Sequence, residues 1–202
     1  MPTIYDLKPA FQRLLAPIAA TLGRAGVTPN HVTIAALALS GVAGFAIVFW
    51  PESHWPLLAL PAVLFVRMAL NALDGMMART LRLTSRLGAV LNELGDVISD
   101  AILYTPLALV PGLRPSLIVT IVLLAVMSEM TGVVSVQIGG SRRYDGPMGK
   151  SDRAFVFGAL GLVLGAGIPA GQWATWLLLA VLALAALTIV NRASRALAET
   201  SR

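Results

Sequence analysis

The chain has 202 residues, 57% of them hydrophobic and only 12% charged, with a mean hydropathy of +0.80. A soluble globular domain carries roughly 25% charged residues, so this composition excludes an ordinary soluble enzyme and predicts an integral membrane protein. No cysteine is present, which excludes disulfides, thiolate metal sites and a cysteine nucleophile, and the net charge of +5 reads as membrane topology, with no nucleic-acid partner.

The N-terminal stretch MPTIYDLKPAFQRLL lacks the apolar core and small-residue cleavage site of a signal peptide. Residues 7–23 place Leu7, Phe11, Leu14, Leu15, Ile18 and Leu22 at helical spacing with Lys8 and Arg13 between them, predicting an amphipathic helix in the membrane interface. A first span is expected over 31–50, introduced by Thr28-Pro29-Asn30 and stopped by Pro51. A second follows over 56–79, and a third over 88–110, closed by Pro111-Gly112. A fourth covers 115–138. The uncharged stretch 154–190 is too long for one helix, and the Gly- and Pro-bearing segment 165–171 divides it into spans over 153–167 and 172–191. The expected fold is an all-α, single-domain integral membrane protein with six transmembrane helices plus the N-terminal amphipathic interfacial helix.

On that layout thirteen of the fifteen basic residues fall on one side, leaving Arg114 in an opposite loop and Arg67 inside the membrane. The positive-inside rule makes that side cytoplasmic, so both termini are expected there, in a bacterial inner membrane.

Four of the ten acidic residues, Asp74, Glu93, Asp96 and Asp100, fall within residues 71–100. Ionisable groups at membrane depth are costly and mark function. Asn71, Asp74 and Gly75 share one face of the second span, and Gly88, Asn92, Asp96 and Asp100 form a four-residue stripe on the third. The two helices are antiparallel across the short basic linker 80–87. At ~1.5 Å rise per residue, Asn71, Asp74, Asn92 and Asp96 meet roughly 6–12 Å below the helix ends. Carboxylate and carboxamide oxygens without Cys or His suit Mg²⁺ or Mn²⁺, and such cations serve phosphate chemistry. Gly75, Ala78 and Gly88 leave room for a ligand against the backbone, and Arg79 is placed for a phosphate oxygen.

Other residues keep two readings. Asp100 and Arg67 lie at equal depth, so Asp100 is either an ion-pair partner or part of the chemistry. Glu93 is offset ~100° from Asn92 and faces headgroups or a neighbouring helix. Glu129, alone on the fourth span, reads as a buried partner or dimer contact. Lys150 and Arg153, one helical turn apart, either bind lipid headgroups or grip a phosphate on a second substrate. The polar set lies toward the cytoplasmic face and has no second copy in the other half of the chain, which weighs against a transporter using membrane carboxylates.

Asp74-Gly75-x-x-Ala78-Arg79, followed by Gly88, Asn92 and Asp96, resembles the CDP-alcohol phosphotransferase signature D-x-x-D-G-x-x-A-R-x8-G-x-x-x-D-x-x-x-D. Asn71 and Asn92 stand where the signature has its first and third Asp. The run from Asp74 through Asn92 and Asp96 to Asp100 is similar to the variant of bacterial phosphatidylcholine synthases, in which Asp100 belongs to the motif. The resemblance implies metal-dependent transfer of a phosphatidyl group from CDP-diacylglycerol to a small alcohol, releasing CMP, by a membrane homodimer. It implies Asp74 and Asp96 as principal metal ligands, with Asn71 and Asn92 as neutral oxygen ligands, and Asp96 or Asp100 as proton acceptor. It further assigns Asn30, Gly75, Ala78, Arg79 and Gly88 to the donor pocket. Lys150 and Arg153 favour a phosphorylated acceptor such as glycerol 3-phosphate, whereas the phosphatidylcholine synthase variant implies choline. No aromatic cage for choline is evident, because Trp50, Trp55, Trp173 and Trp176 all sit near the outer face.

Overall fold

The computed structural model describes residues 4–201, with side chains from Phe11 onward. Its helices in chain order are α1 (Ile4–Arg24), α2 (Pro29–Phe49), α3 (His54–Thr80), α4 (Arg86–Tyr104), α5 (Pro115–Gln137), α6 (Lys150–Gly165) and α7 (Gln172–Thr200), and there is no strand among the described residues. Four of these, α2, α3, α5 and α7, are long and apolar enough to cross a membrane. The side chains of Leu7 and Lys8, two of the residues behind the amphipathic expectation for α1, lie outside the described residues.

Local chemistry sets the helix ends. Thr28 caps α2 reciprocally with His31: its Oγ1 accepts from the His31 amide, and its own amide donates to His31 Nδ1, both at 3.3 Å. Pro29 follows at the first helical position, where no N–H is needed. Ser85 Oγ accepts from Gly88 N at 2.9 Å and starts α4. The third expected span ran to residue 110, but α4 stops at Tyr104 and continues as a 3₁₀ segment, Thr105–Leu109. Pro106 is the reason, since it lacks the N–H that would extend the α ladder. α7 instead runs past the expected residue 191 to Thr200, because its tail is built of Ala, Leu, Arg and Glu, which favour helix.

α3 packs against both α2 and α6, α5 against α7, and α2 against α4, while α1 lies along α3. Apart from the main core, α1 docks through Leu15 and Ala19 onto Val32, Leu73 and Met77. Among lipid tails, helix association depends on close packing and interhelical hydrogen bonds more than on water exclusion. Gly44 answers that need, because a Cβ there would collide with the Ile102 carbonyl of α4. The outside is apolar, and charge is buried within the core. Phe45, Phe65 and Phe155 are exposed, whereas the three largest fully buried side chains are Arg67, Arg153 and Arg192. Alternating helices bring the ends of α2 to α7 that carry the motif residues to one end of the bundle. Trp50 and Trp55 lie at the other, their ring centroids 5.4 Å apart.

Candidate active site

Two clefts open at the motif end and share Asn92. The first, about 230 Å³, lies between α2, α3 and α4, and its walls include Asn30, Thr33, Asp74, Gly75, Ala78 and Gly88. Small residues make it possible: a Cβ on Gly88 would stand 3.0 Å from both Asn30 Oδ1 and Ser85 Oγ. Arg79 is exposed at the rim, its guanidinium beside Gly75. Asp74 is buried, and Thr33 Oγ1 donates to its Oδ2 at 2.7 Å. Thr33 was not among the residues singled out from sequence. Its signal was its place one turn after Pro29, on the same face as Asn30.

The second cleft, about 320 Å³, lies between α4, α5, α6, α7 and the loop 138–149, and includes Glu93, Asp96, Glu129, Arg142, Lys150 and Arg192. Asp96 Oδ1 accepts from Asn71 Nδ2 at 3.1 Å and forms an ion pair with Lys150 Nζ. The facing of Asn71 and Asp96 is as the depth count expects. Asp74, Asp96, Asn71 and Asn92 thus gather hard oxygen donors where the clefts meet. No group of three or more His, Cys, Asp or Glu among the described residues is placed to hold a metal ion, so a hard cation here would draw on two carboxylates completed by carboxamides. That donor set fits Mg²⁺ or Mn²⁺ and not a soft metal.

Behind the clefts runs a buried ionic cluster. Asp100 is 4% exposed and lines neither cleft; its Oδ1 lies 2.6 Å from Arg67 Nη1, and its Oδ2 accepts from Arg153 at 2.9 and 3.1 Å. Of the two readings of Asp100, this geometry is that of the ion pair. Arg153, expected beside Lys150 as a phosphate grip, is 1% exposed and turned inward, donating to Asp100, to Glu129 Oε1 and to the Met148 carbonyl. Its position one turn after Lys150 aims it into the bundle and away from the mouth. Glu129 is a buried partner, meeting Arg142, Arg153 and Arg192 at 3.0 to 3.2 Å. Glu93 faces a neighbouring segment, paired with Arg142 at 2.8 Å.

The loop 138–149 folds onto α5 because Gly132 has no side chain; a Cβ there would strike the Arg142 guanidinium and the Arg143 carbonyl. Burial works against the Arg142 charge, but the hydrogen bonds it donates to Glu93 and Glu129 outweigh that and hold its pKa above the ordinary arginine value. Burial raises the Tyr144 phenol against the pull of Arg142, which lies 4.6 Å from its ring centre.

Residues 26–190 match the family described as CDP-alcohol phosphatidyltransferase. The chain is 48% identical over 174 residues to inner membrane protein YnbA of Escherichia coli (strain K12), covering 86% of this chain and 85% of that protein. It is 32% identical over 173 residues to phosphatidylinositol phosphate synthase of Mycobacterium tuberculosis (strain ATCC 25618 / H37Rv), covering 83% of this chain and 75% of that one. The crystal structure of a Mycobacterium tuberculosis phosphatidylinositol phosphate synthase with CDP-DAG bound shares the fold, with a TM-score of 0.76 at 21% identity over 91% of this chain and 94% of that one. Another structure of that synthase is a complex with manganese and citrate, with a TM-score of 0.75 at 21% identity over 90% of this chain and 88% of that one.

Proposed function

The chain belongs to the CDP-alcohol phosphatidyltransferase family and is an enzyme of that class, and from that premise we propose that it transfers the phosphatidyl group of CDP-diacylglycerol to a hydroxyl of a small polyol. The observation that carries this reading is the meeting of Asp74 and Asp96, from two antiparallel helices, where a small-walled cleft joins a polar one. Relatives named phosphatidylinositol phosphate synthase support a polyol as acceptor.

In this reading the first cleft takes the cytidine diphosphate. Gly75, Ala78 and Gly88 let it approach the backbone, and Arg79 meets a phosphate oxygen at the rim. Asp74, Asp96, Asn71 and Asn92 would hold Mg²⁺ or Mn²⁺, which when bound supplies positive charge against the diphosphate. The acceptor hydroxyl comes through the second cleft to the phosphatidyl phosphorus. A new P–O bond forms there, the diphosphate bond breaks, and CMP leaves with the electron pair. Asp96 accepts the hydroxyl proton, with Lys150 and Asn71 fixing the carboxylate's orientation. Asp100 and Arg153 act behind it, holding α4 to α6.

The reading includes a topology in which α4 and α6 also cross the bilayer and α1 lies in the interface. The mouth of both clefts and the two termini then face the cytoplasm, supported by the one-sided distribution of basic residues. A homodimer in the inner membrane belongs to the same proposal. Choline as acceptor has little support, since among the described residues Tyr144 is the one aromatic lining the second cleft and Arg142 already lies over one face of its ring.

The test is CMP release from CDP-diacylglycerol by the purified protein with Mn²⁺ or Mg²⁺, across a panel of acceptors and with Asp96→Ala as the blank. Metal-dependent release that the blank lacks is the expected result. Proton- or sodium-coupled flux in liposomes without CMP release would replace this reading with the transporter.

A further inference from the structure

Taking the transfer reading as given, we infer that the acceptor is an uncharged polyol, one carrying no phosphate, and that Glu93 and Glu129 impose this by occupying the guanidiniums of the second cleft. A phosphate is an acceptor-only ligand and needs N–H donors that are free to turn toward it. The guanidiniums of the cleft have almost none to give. Arg142 spends Nε and Nη2 on Glu93 at 2.9 and 2.8 Å, Nη2 again on Glu129 at 3.0 Å, and Nη1 on the Arg143 carbonyl at 2.6 Å. Arg192, 1% exposed, spends its fork on the Asp145 carbonyl, the Ser128 carbonyl and Glu129. Lys150 is paired with Asp96 through one of the three N–H groups of its ammonium.

Charge makes the same point. Glu93, Asp96 and Glu129 balance Arg142, Lys150 and Arg192, and Asp152 at the mouth adds a further negative charge while accepting from Gly149 N at 2.9 Å. A phosphate entering would have to take a guanidinium from its carboxylate and leave that carboxylate unpaired in a half-buried place, which is costly. An ammonium-bearing alcohol meets the converse obstacle, since each of these inner carboxylates already has a cation.

Hydroxyl groups face neither obstacle. An ionised carboxylate has about four lone-pair sites, so Glu93 and Asp96 keep acceptor capacity after pairing, and both are partly open to solvent, at 34% and 26% side-chain exposure. The cleft is therefore rich in open acceptors while its guanidinium donors are committed, which matches a ligand that presents several O–H groups. Glu93 and Glu129 are specificity-determining residues by this argument: they act on the acceptor by what they withhold from it.

The experiment compares matched pairs in the CMP-release assay: glycerol against glycerol 3-phosphate, and inositol against inositol phosphate, with choline and serine alongside. The unphosphorylated member of a pair is expected to have a kcat/KM at least about tenfold higher, which is the factor that 1.4 kcal/mol supplies. Glu93→Gln, on the more exposed partner, removes one of the two carboxylates that hold Arg142 and is expected to move that ratio toward the phosphorylated member by a similar factor, in the acceptor KM more than in kcat. Glu129→Gln, deeper in the cluster, is expected to do the same where it folds. A wild-type preference for the phosphorylated member, or for choline or serine, overturns the inference, as does a ratio that Glu93→Gln leaves unmoved. No CMP from any acceptor, together with no retention of CDP-diacylglycerol, overturns the transfer reading beneath it.

Discussion

The two clefts that meet at Asn92 are built on opposite plans. The first has walls of Gly75, Ala78, Gly88 and Ala89, a single carboxylate in Asp74, and no cation among its lining residues. The second is crowded with ion pairs that satisfy one another. A cleft of small residues is completed by what enters it, so its polar groups are available for chemistry. A cleft of mutually paired charges is complete already, and it selects ligands by the lone pairs left over. Turnover is expected to depend most on the carboxylates at the junction, and stability most on the ion pairs behind the second cleft.

The largest effect is expected at the junction. Asp74→Asn and Asp96→Asn each keep shape and hydrogen-bonding capacity but remove a negative charge. Turnover should fall by about 10³-fold or more, roughly 4 kcal/mol of transition-state stabilisation, with the melting temperature in detergent little changed. Normal turnover in either variant would falsify the assignment of the junction as the reacting centre.

Behind the second cleft the pattern reverses. Arg153→Met leaves Asp100 and Glu129 without a shared guanidinium that is 1% exposed. Asp100 keeps Arg67, and Glu129 keeps Arg142 and Arg192, so the cost is that of buried hydrogen bonds left unmade, about 1–3 kcal/mol. Thermal unfolding should reveal that loss, with Arg153→Lys recovering part of it because one ammonium cannot serve both acids. If Arg153→Met keeps its stability yet loses acceptor binding, the two-cleft distinction is wrong and Arg153 reaches substrate after all.

The same division explains what could be read from the sequence. Helix spacing and depth counted from the basic linker brought Asn71 to Asp96 and Arg67 to Asp100, because both pairs sit on adjacent antiparallel helices, where local periodicity carries over into space. The entry to α2 through Thr28-Pro29-Asn30 was also legible, although the reciprocal cap with His31 was not. The partners of Arg142 and Arg192 were not. Arg142 reaches Glu93 only because Gly132 lets the loop lie on α5, and Arg192 reaches Glu129 across two helices. Spacing along α6 put Lys150 and Arg153 one turn apart, but which of them faces the mouth depends on how α6 is rotated against α3. The truncation of α4 turned on Pro106, whose effect the apolar run around it concealed.

A smaller effect sharpens the first cleft. Gly88→Ala brings a Cβ to 3.0 Å from Asn30 Oδ1 and Ser85 Oγ, so those side chains must give way and the cleft narrows. The KM for CDP-diacylglycerol should rise by about tenfold, a cost near 1.4 kcal/mol, while kcat at saturation holds. An equal loss in kcat would mean that Gly88 acts on the transferring phosphorus and not on donor binding.

The smallest effect concerns how the second cleft's loop is tethered. Glu199 Oε2, at the end of α7, accepts from the Ser141 amide and hydroxyl at 3.2 and 2.9 Å and from Arg143 at 3.0 Å. The Ser141 amide, then its hydroxyl and Arg143, hold this carboxyl below its ordinary pKa. A carboxylate whose folded pKa is depressed stabilises the fold fully above its unfolded value, and that contribution is lost as pH falls through the folded value. Hydrogen exchange at the Ser141 amide, corrected for the intrinsic rate, should therefore be constant near neutrality and quicken as pH drops below the ordinary glutamate range. Glu199→Gln should abolish that pH dependence and leave modest protection throughout. Because the tether is exposed and the Arg142 pairs lie inward of it, opening it should leave the acceptor ratio unchanged; a shift in that ratio would mean that the cleft's ion pairs depend on the loop's outer anchor and are not complete in themselves.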